Sequence, residues 1–360
     1  MTNREQELVA LLKLNPMISQ KEIAEKLGIQ RSSVAAHILN LTKKGLIKGK
    51  GYILSEDEYV LVIGGAAMDI TGFPKDKLRM EDSNPGTMKT SMGGVGRNIG
   101  ENLARLGVGV KMLTALGDDV YGHKIISSCE ALGMDFSNAM ILRDEDTATY
   151  LAIMDEDGDM LVAISNMGII ERINIDFIKK NEKLIRGASA VVVDTNLDQK
   201  VIEYIATEFA NCPLFVDTVS SAKSEKLRRV VGAFHTIKPN KLEAELLSGI
   251  NILTESDLIA AKDWFIKAGV KQVFISLGKD GVLYGDENHH YKSEIEPVNM
   301  VSATGAGDAF MAGLVYGHIN RLGMEKTVKI AQVMSALTVS SEMTIHPEMS
   351  ESILRAIIQG

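Results

Sequence analysis

Late in the chain, Ser302-Ala303-Thr304-Gly305-Ala306-Gly307-Asp308-Ala309-Phe310 joins residues able to hold an anion to one able to take a proton. Glycines on either side of Ala306 let the backbone turn without a Cβ penalty and let a ligand come close. The apolar positions that follow, Phe310, Leu314, Val315 and Ile319, have near-helical spacing, which puts the glycines at a helix start. Free N–H groups there, with the positive end of the helix dipole, stabilise an oxyanion or a phosphate. Asp308, in the first turn, is expected to stay ionised and to accept a proton from a substrate alcohol. A Gly-rich turn alone is as often a plain loop-to-helix joint. The carboxylate directly after Gly-Ala-Gly makes this one sharper.

Other candidate positions are spread along the chain. Asp69 follows the apolar run at 59–65, so it falls near the carboxyl end of a strand, the edge where open α/β sheets bind ligands. Its carboxylate could accept from two vicinal sugar hydroxyls or simply cap a turn. Gly93-Gly94-Val95-Gly96-Arg97-Asn98 is a second Gly-rich turn opening a helix. A dinucleotide fingerprint would need a strand just before it and an acidic residue ~20 positions on; 87–92 could pass as a strand but belongs to an irregular stretch. The amide of Asn98, donor and acceptor together, suits a polyhydroxylated ligand better than a pyrophosphate. Asn240 and Glu243 lie three apart at a helix start, where they can orient water around a phosphate-bound divalent cation or form a capping pair. Ser276-Leu277-Gly278-Lys279-Asp280-Gly281 ends a strand in a Gly turn that could admit a flat nucleotide base. No Walker A pattern occurs, which argues against a P-loop enzyme.

Positioning these groups requires a sheet. Short apolar runs at 59–65, 108–113, 190–193, 213–216, 236–238 and 272–276 read as buried strands. Helix-like segments lie between most of them, at 96–106, 176–185, 199–209, 242–247 and 255–268. That alternation predicts an α/β layered sandwich around a mainly parallel sheet. Two stretches depart from it: 70–92, and the hairpin-like 150–165. Together they predict a small β lid beside the body.

The first 54 residues differ in charge. They hold nine Lys/Arg against four Asp/Glu, a net +5, which leaves −13 for the rest of a chain whose total is −8. Amphipathic segments at 4–13, 20–27 and 31–44 predict three helices, the last burying Val34, Ile38 and Leu41. Residues 45–54 read as a hairpin around a Lys-Gly turn. Three helices and a hairpin resemble a winged helix-turn-helix, whose third helix enters the major groove of DNA. Arg31, Ser32, Ser33 and His37 would face the duplex, with Lys48 and Lys50 on the wing. A helical cap used for dimer contacts is the alternative. The division expected is therefore 1–54 for a DNA-binding module and 55–360 for a catalytic body.

Composition narrows the setting. A hydrophobic fraction of 45% with 24% charged residues is that of a globular protein. No apolar run nears the ~20 residues of a membrane span and no signal-peptide core is visible. Cys129 and Cys212 imply no disulfide framework and no metal-ligand spacing, so a reducing cytoplasm and buried, inert thiols are expected.

From 59 onward these motifs resemble the ribokinase-like (PfkB) carbohydrate kinase family. Both Gly-rich signatures are present, and the Asn240…Glu243 pair matches the family's magnesium-orienting motif. The resemblance implies a ribokinase-like three-layer sandwich with a β lid, using Mg2+ and ATP. It makes Asp308 the base that takes a proton from a primary hydroxyl, and Gly305, Ala306 and Gly307 the anion hole. It gives the acceptor sugar to Asp69, Gly93, Gly94, Asn98 and Asn196, the last where relatives often carry Glu. ATP and Mg2+ fall to Asn240 and Glu243 (through water), and the adenine to Gly278 and Gly281. Ala303 stands where many members carry Thr or a β-branched residue, which weakens the case for a monovalent cation.

Within the family, 82–86, 93–107, 215–220 and 235–240 resemble the branch acting on pseudouridine, some members of which also carry a winged helix. Phosphorylation of a nucleoside 5′-hydroxyl is implied, with inosine, guanosine, cytidine or free ribose as other acceptors. A ligand-sensing regulator with a kinase-like body stays open, as does a homodimer through the lid. Asp82, Ser83, Asn84 and Lys89 are candidate base contacts.

Overall fold

The structure, a computed structural model, describes residues 1–47, 58–295 and 298–359. They form two compact units, Met1–Glu58 and Tyr59–Gly360.

The smaller unit has helices Asn3–Leu14, Gln20–Leu27 and Arg31–Lys43. The first two open on capping boxes, Thr2 with Glu5 and Ser19 with Glu22, which satisfy N–H groups that helix starts leave unpaired. The second stops on Gly28 at φ +64°, a left-handed cap that favours glycine. Leu8, Leu12, Ile23, Val34 and Leu41 are wholly buried between the helices, while Ile38 is half-buried. Lys44 reaches back to Glu5 at 2.8 Å and ties the end of the third helix to the first. Arg31, Ser32 and Ser33 are exposed on the opening turn of the third helix, and His37 is half-buried. The expected hairpin lies outside the described residues from 48 onward, and with it Lys48 and Lys50.

In the larger unit the described residues form a nine-stranded sheet. From one edge its order is His290–Ser293, Val282–Gly285, Gln272–Ser276, Thr236–Ile237, Leu214–Asp217, Ala190–Asp194, Tyr59–Ile63, Gly109–Leu113 and Met134–Asp135. All neighbours pair in parallel except at the first edge, where two antiparallel pairings add the hairpin. Tyr59–Ile63 shows why such strands read as unbroken apolar runs. Tyr59, Leu61 and Ile63 enter the core on one face, Val60 and Val62 the core on the other. Helices Gln199–Glu208 and Glu255–Ala268 cover the first face, and Val95–Arg105, Ala306–Ile319 and Met324–Val339 the second. That is a three-layer sandwich. No described helix is long and apolar enough to cross a membrane.

A four-stranded sheet, Gly86–Gly93, Ala67–Pro74, Thr149–Met154 and Met160–Asn166 in that order, accounts for the two irregular stretches. The run at 87–92 is therefore a strand leading directly into helix Val95–Arg105, although in the small sheet rather than the central one. The helix expected over 176–185 is two, Ile175–Lys180 and Glu182–Gly187, broken at Asn181. The Asn181 side chain bonds back to the Phe177 carbonyl at 3.0 Å, the local competition that makes Asn a poor helix-interior residue. Cys129 is buried and Cys212 half-buried, and burial pushes both thiols up, Cys129 to about 11.

Candidate active site

The chain leaves Tyr59–Ile63 for Gly109–Leu113 on one side and later returns to Ala190–Asp194 on the other. Such a reversal opens a crevice at the carboxyl ends of the strands. Five adjacent strands end there, delivering Gly64-Gly65, Asp194, Asp217, Lys238 and Ser276 side by side.

Asp194 has no exposed surface. Its Oδ2 accepts from the N–H groups of Gly65 at 2.8 Å and Gly96 at 2.9 Å, and its Oδ1 from Asn196 at 2.9 Å. One carboxylate thus pins the Gly64-Gly65 turn and the Gly-rich turn at 93–98 together. A Cβ on Gly64 would collide with it, and a Cβ on Gly94, at φ +92°, would lie 2.5 Å from the Gly65 carbonyl. Glycine is required at both. Burial pushes Asp194 up, against the opposing pull of its backbone donors.

Helix Ala306–Ile319 begins after Gly305, at φ +82° with the Thr344 carbonyl where a Cβ would go. Its first internal bond runs from the Ala309 N–H to the Gly305 carbonyl at 2.9 Å, so the N–H groups of Ala306, Gly307 and Asp308 precede the ladder. Gly305→Ala should therefore push the loop off Thr344 and misplace these donors. We expect a fall in kcat of about 10²-fold, the scale of a lost oxyanion donor, with smaller change in acceptor KM, read by steady-state kinetics.

Asp308 is buried, and its Oδ2 accepts from the Asn98 amide at 2.6 Å. Burial first, and then the carboxylates of Asp217 and Asp194, push its carboxyl up to about 7, against the Asn98 bond and the Lys238 charge. The expectation that Asp308 simply stays ionised is corrected: burial outweighs the helix end. Lys238 sits opposite. Its Nζ is 3.6 Å from Asp217 Oδ2 and would lie 3.3 Å from a Cβ on Gly307. Burial alone would lower this lysine, but Asp217, Glu243 and Asp308 outweigh it and hold it charged. Asp217 Oδ2 has no hydrogen-bond partner, while Oδ1 accepts from Val219 at 2.8 Å. Val219 is held at φ +57°, a strained value for a β-branched residue.

Asn240 and Glu243 form a reciprocal cap: the Glu243 N–H donates to Asn240 Oδ1 at 2.9 Å, and the Asn240 N–H to Glu243 Oε2 at 2.8 Å. The Thr218 hydroxyl also donates to Glu243, at 2.6 Å. Carboxamide, carboxylate and hydroxyl, with the orphaned Asp217 oxygen on the neighbouring strand end, are hard donors that suit hydrated Mg2+. Beside them opens a cleft of about 730 Å³ lined by Asn240, Leu258, Ser276, Gly278 and Lys292. Gly278 thus faces the cleft. Gly281 is not among the residues that line it; at φ +91° it packs against the Ser293 carbonyl and shapes the edge hairpin.

On the other side, Asp69 abuts Gly93, where a Cβ would collide with its carboxylate. Burial pushes Asp69 up and Arg97 opposes this. Asn196 accepts from Lys223 at 2.6 Å. Asp82 and Ser83 are exposed and Asn84 is half-buried, its amide bonded to the Arg79 backbone, and Lys89 pairs with Glu342 at 3.1 Å. Sequence reasoning missed Lys238, Asp217, Asp194 and Arg97 as site residues. The available signal was a charged residue ending each of three successive apolar strands.

The chain belongs to the pfkB family of carbohydrate kinases, whose model matches residues 57–351, and it has the ribokinase-like fold. It is accordingly a kinase of the sugar and nucleoside type. Residues 1–48 match a winged helix-turn-helix DNA-binding model. The chain is 38% identical to the uncharacterised sugar kinase YeiI of Escherichia coli over 97% of both proteins. To the pseudouridine kinase of Escherichia coli it is 36% identical, over 85% of this chain and 98% of that one. A crystal structure of a Clostridium perfringens protein described as a sugar kinase superposes with a TM-score of 0.79 at 39% identity, covering 84% of this chain and 96% of the other.

Proposed function

We propose that this chain transfers the terminal phosphoryl group of ATP to the 5′-hydroxyl of pseudouridine. The observation carrying the reaction is the Asp308 carboxylate, held by Asn98 at 2.6 Å in the first turn of a helix whose leading N–H groups are unpaired. The 36% identity to a pseudouridine kinase supports the acceptor. Asp308 takes the proton from the 5′-hydroxyl as it attacks. The N–H groups of Gly305, Ala306 and Gly307, with the Lys238 ammonium, hold the charge on the transferring group. Mg2+ held through water by Asn240 and Glu243 would neutralise the remaining phosphate oxygens. Asp69, Gly94, Asn98 and Asn196 orient the sugar, and the four-stranded sheet screens it from water. The test compares kcat/KM for pseudouridine with that for inosine, guanosine, cytidine, uridine and ribose. We expect pseudouridine to lead by tenfold or more; an equal or better rival would take its place as acceptor.

For the first unit we propose duplex DNA binding through Arg31, Ser32 and Ser33, with His37 beside them, as the exposed opening turn of the third helix and the basic charge suggest. With about four phosphate contacts, affinity should fall about 10²-fold between 50 and 200 mM salt. Fluorescence anisotropy on the protein's own upstream region reads this. Affinity insensitive to salt, or no binding at low salt, would leave the unit a helical cap.

A further inference from the structure

Asn98 is an amide, and an amide can face a carboxylate with either its oxygen or its nitrogen. Only the nitrogen helps an ionised base. What chooses the face is the next residue. Arg97 is 1% exposed and spends its guanidinium on four partners. Its Nε donates to the Gly93 carbonyl at 3.0 Å and one Nη2 bond goes to the Met92 carbonyl at 2.7 Å. The same Nη2 donates to Asn98 Oδ1, and Nη1 pairs with Glu101. Because the Asn98 oxygen is taken by a cation, its Nδ2 must turn to Asp308. Glu101 is itself held from the far side by Arg105, at 2.8 Å.

We propose that Arg97 is a positioning residue for the base: its guanidinium fixes the donor face of Asn98 toward Asp308 and ties that amide to the end of strand Gly86–Gly93. The proposal rests on the reading of Asp308 as the base. The charged groups around the carboxylate are Asp217 and Asp194 on the neighbouring strand ends, Lys238 across from it, and Arg97 behind Asn98. Of these, Arg97 alone acts through the amide. Without it Asn98 can rotate and present its oxygen, so the carboxylate loses a donor and meets a repulsive lone pair.

The test measures kcat, both KM values and the pH profile of kcat/KM for Arg97→Met, Arg97→Lys and Asp308→Asn. We expect Arg97→Met to lower kcat roughly 10–100-fold with KM for ATP within about twofold, and to move the acidic limb of the profile to higher pH. Arg97→Lys, which keeps charge but not the planar fork, should recover part of the rate. If burying Glu101 with one fewer partner unfolds Arg97→Met, the double variant Arg97→Met/Glu101→Gln carries the same test, since it removes both charges. A folded Arg97→Met or double variant with kcat within twofold of wild type and an unmoved acidic limb overturns the proposal. Asp308→Asn separates the two failures. If it is inactive while the Arg97 variants match wild type, only the positioning role falls; if it turns over normally, the base assignment falls and takes this inference with it.

Discussion

Asp308→Asn should lower kcat by roughly 10²–10⁴-fold, the general-base range, while leaving KM for ATP within a few fold. The variant keeps the shape of the side chain, and its amide oxygen can still accept from Asn98. Its fold should therefore survive. The pH profile checks the same assignment independently. A base must be deprotonated to act, and Asp308 is pushed up to about 7 by burial and by Asp217. kcat/KM should consequently fall as pH drops through about 7, rather than through the ordinary carboxylate range. Stability moves the other way. The folded chain holds this proton up to about 7 and the unfolded chain releases it near 4, so between those values rising pH favours unfolding. Above pH 7 Asp308→Asn should thus melt no lower than wild type. A variant that retains wild-type kcat would remove Asp308 from the chemistry.

Lys238→Met should damage both rate and fold. The ammonium is nearly buried among Asp217, Glu243 and Asp308, and it stays charged only because those carboxylates outweigh the cost of burial. Taking away one partner of a buried ion pair strands the other, at a cost of about 3–5 kcal/mol. Asp217 would be the stranded group, since its Oδ2 has no hydrogen bond to fall back on. A kcat loss of roughly 10²–10³-fold is expected from the missing charge beside Gly307. Denaturant melts and single-turnover kinetics measure the two effects separately. A melt and a rate both near wild type would show Lys238 to be a bystander.

Features set by short stretches of chain were legible in the sequence. Gly305-Ala306-Gly307-Asp308 announced a helix start with a carboxylate in its first turn, and the helix begins there. The six apolar runs that became central strands, and the glycine stop at Gly28, are likewise local. What escaped depends on neighbours far along the chain. Asp194 and Asp217 could not be placed around Asp308 without the strand order, which puts Ala190–Asp194 beside both Tyr59–Ile63 and Leu214–Asp217. The ionisation of Asp308 was misjudged for the same reason: the helix end is local, whereas the burial and the two carboxylates come from other strands. Strand Gly86–Gly93 was doubtful because most of its residues are exposed, leaving little apolar alternation to read. Gly281 was read from its motif alone, and the close approach of the Ser293 carbonyl that also requires glycine there comes from another strand.

The Thr344 carbonyl occupies the space where Gly305 would carry a side chain, and the Thr344 hydroxyl donates to the Met92 carbonyl at 3.3 Å. A late loop therefore props the start of helix Ala306–Ile319 and the rim of the small sheet at once. A nascent chain that has emerged only as far as Asp308 already owns every side chain assigned to chemistry, yet lacks the rest of helix Ala306–Ile319, the helix Met324–Val339 packed on it and the Thr344 buttress. Ribosome-bound intermediates should for this reason be catalytically silent, and the earliest moment of turnover should follow release of the segment after residue 344.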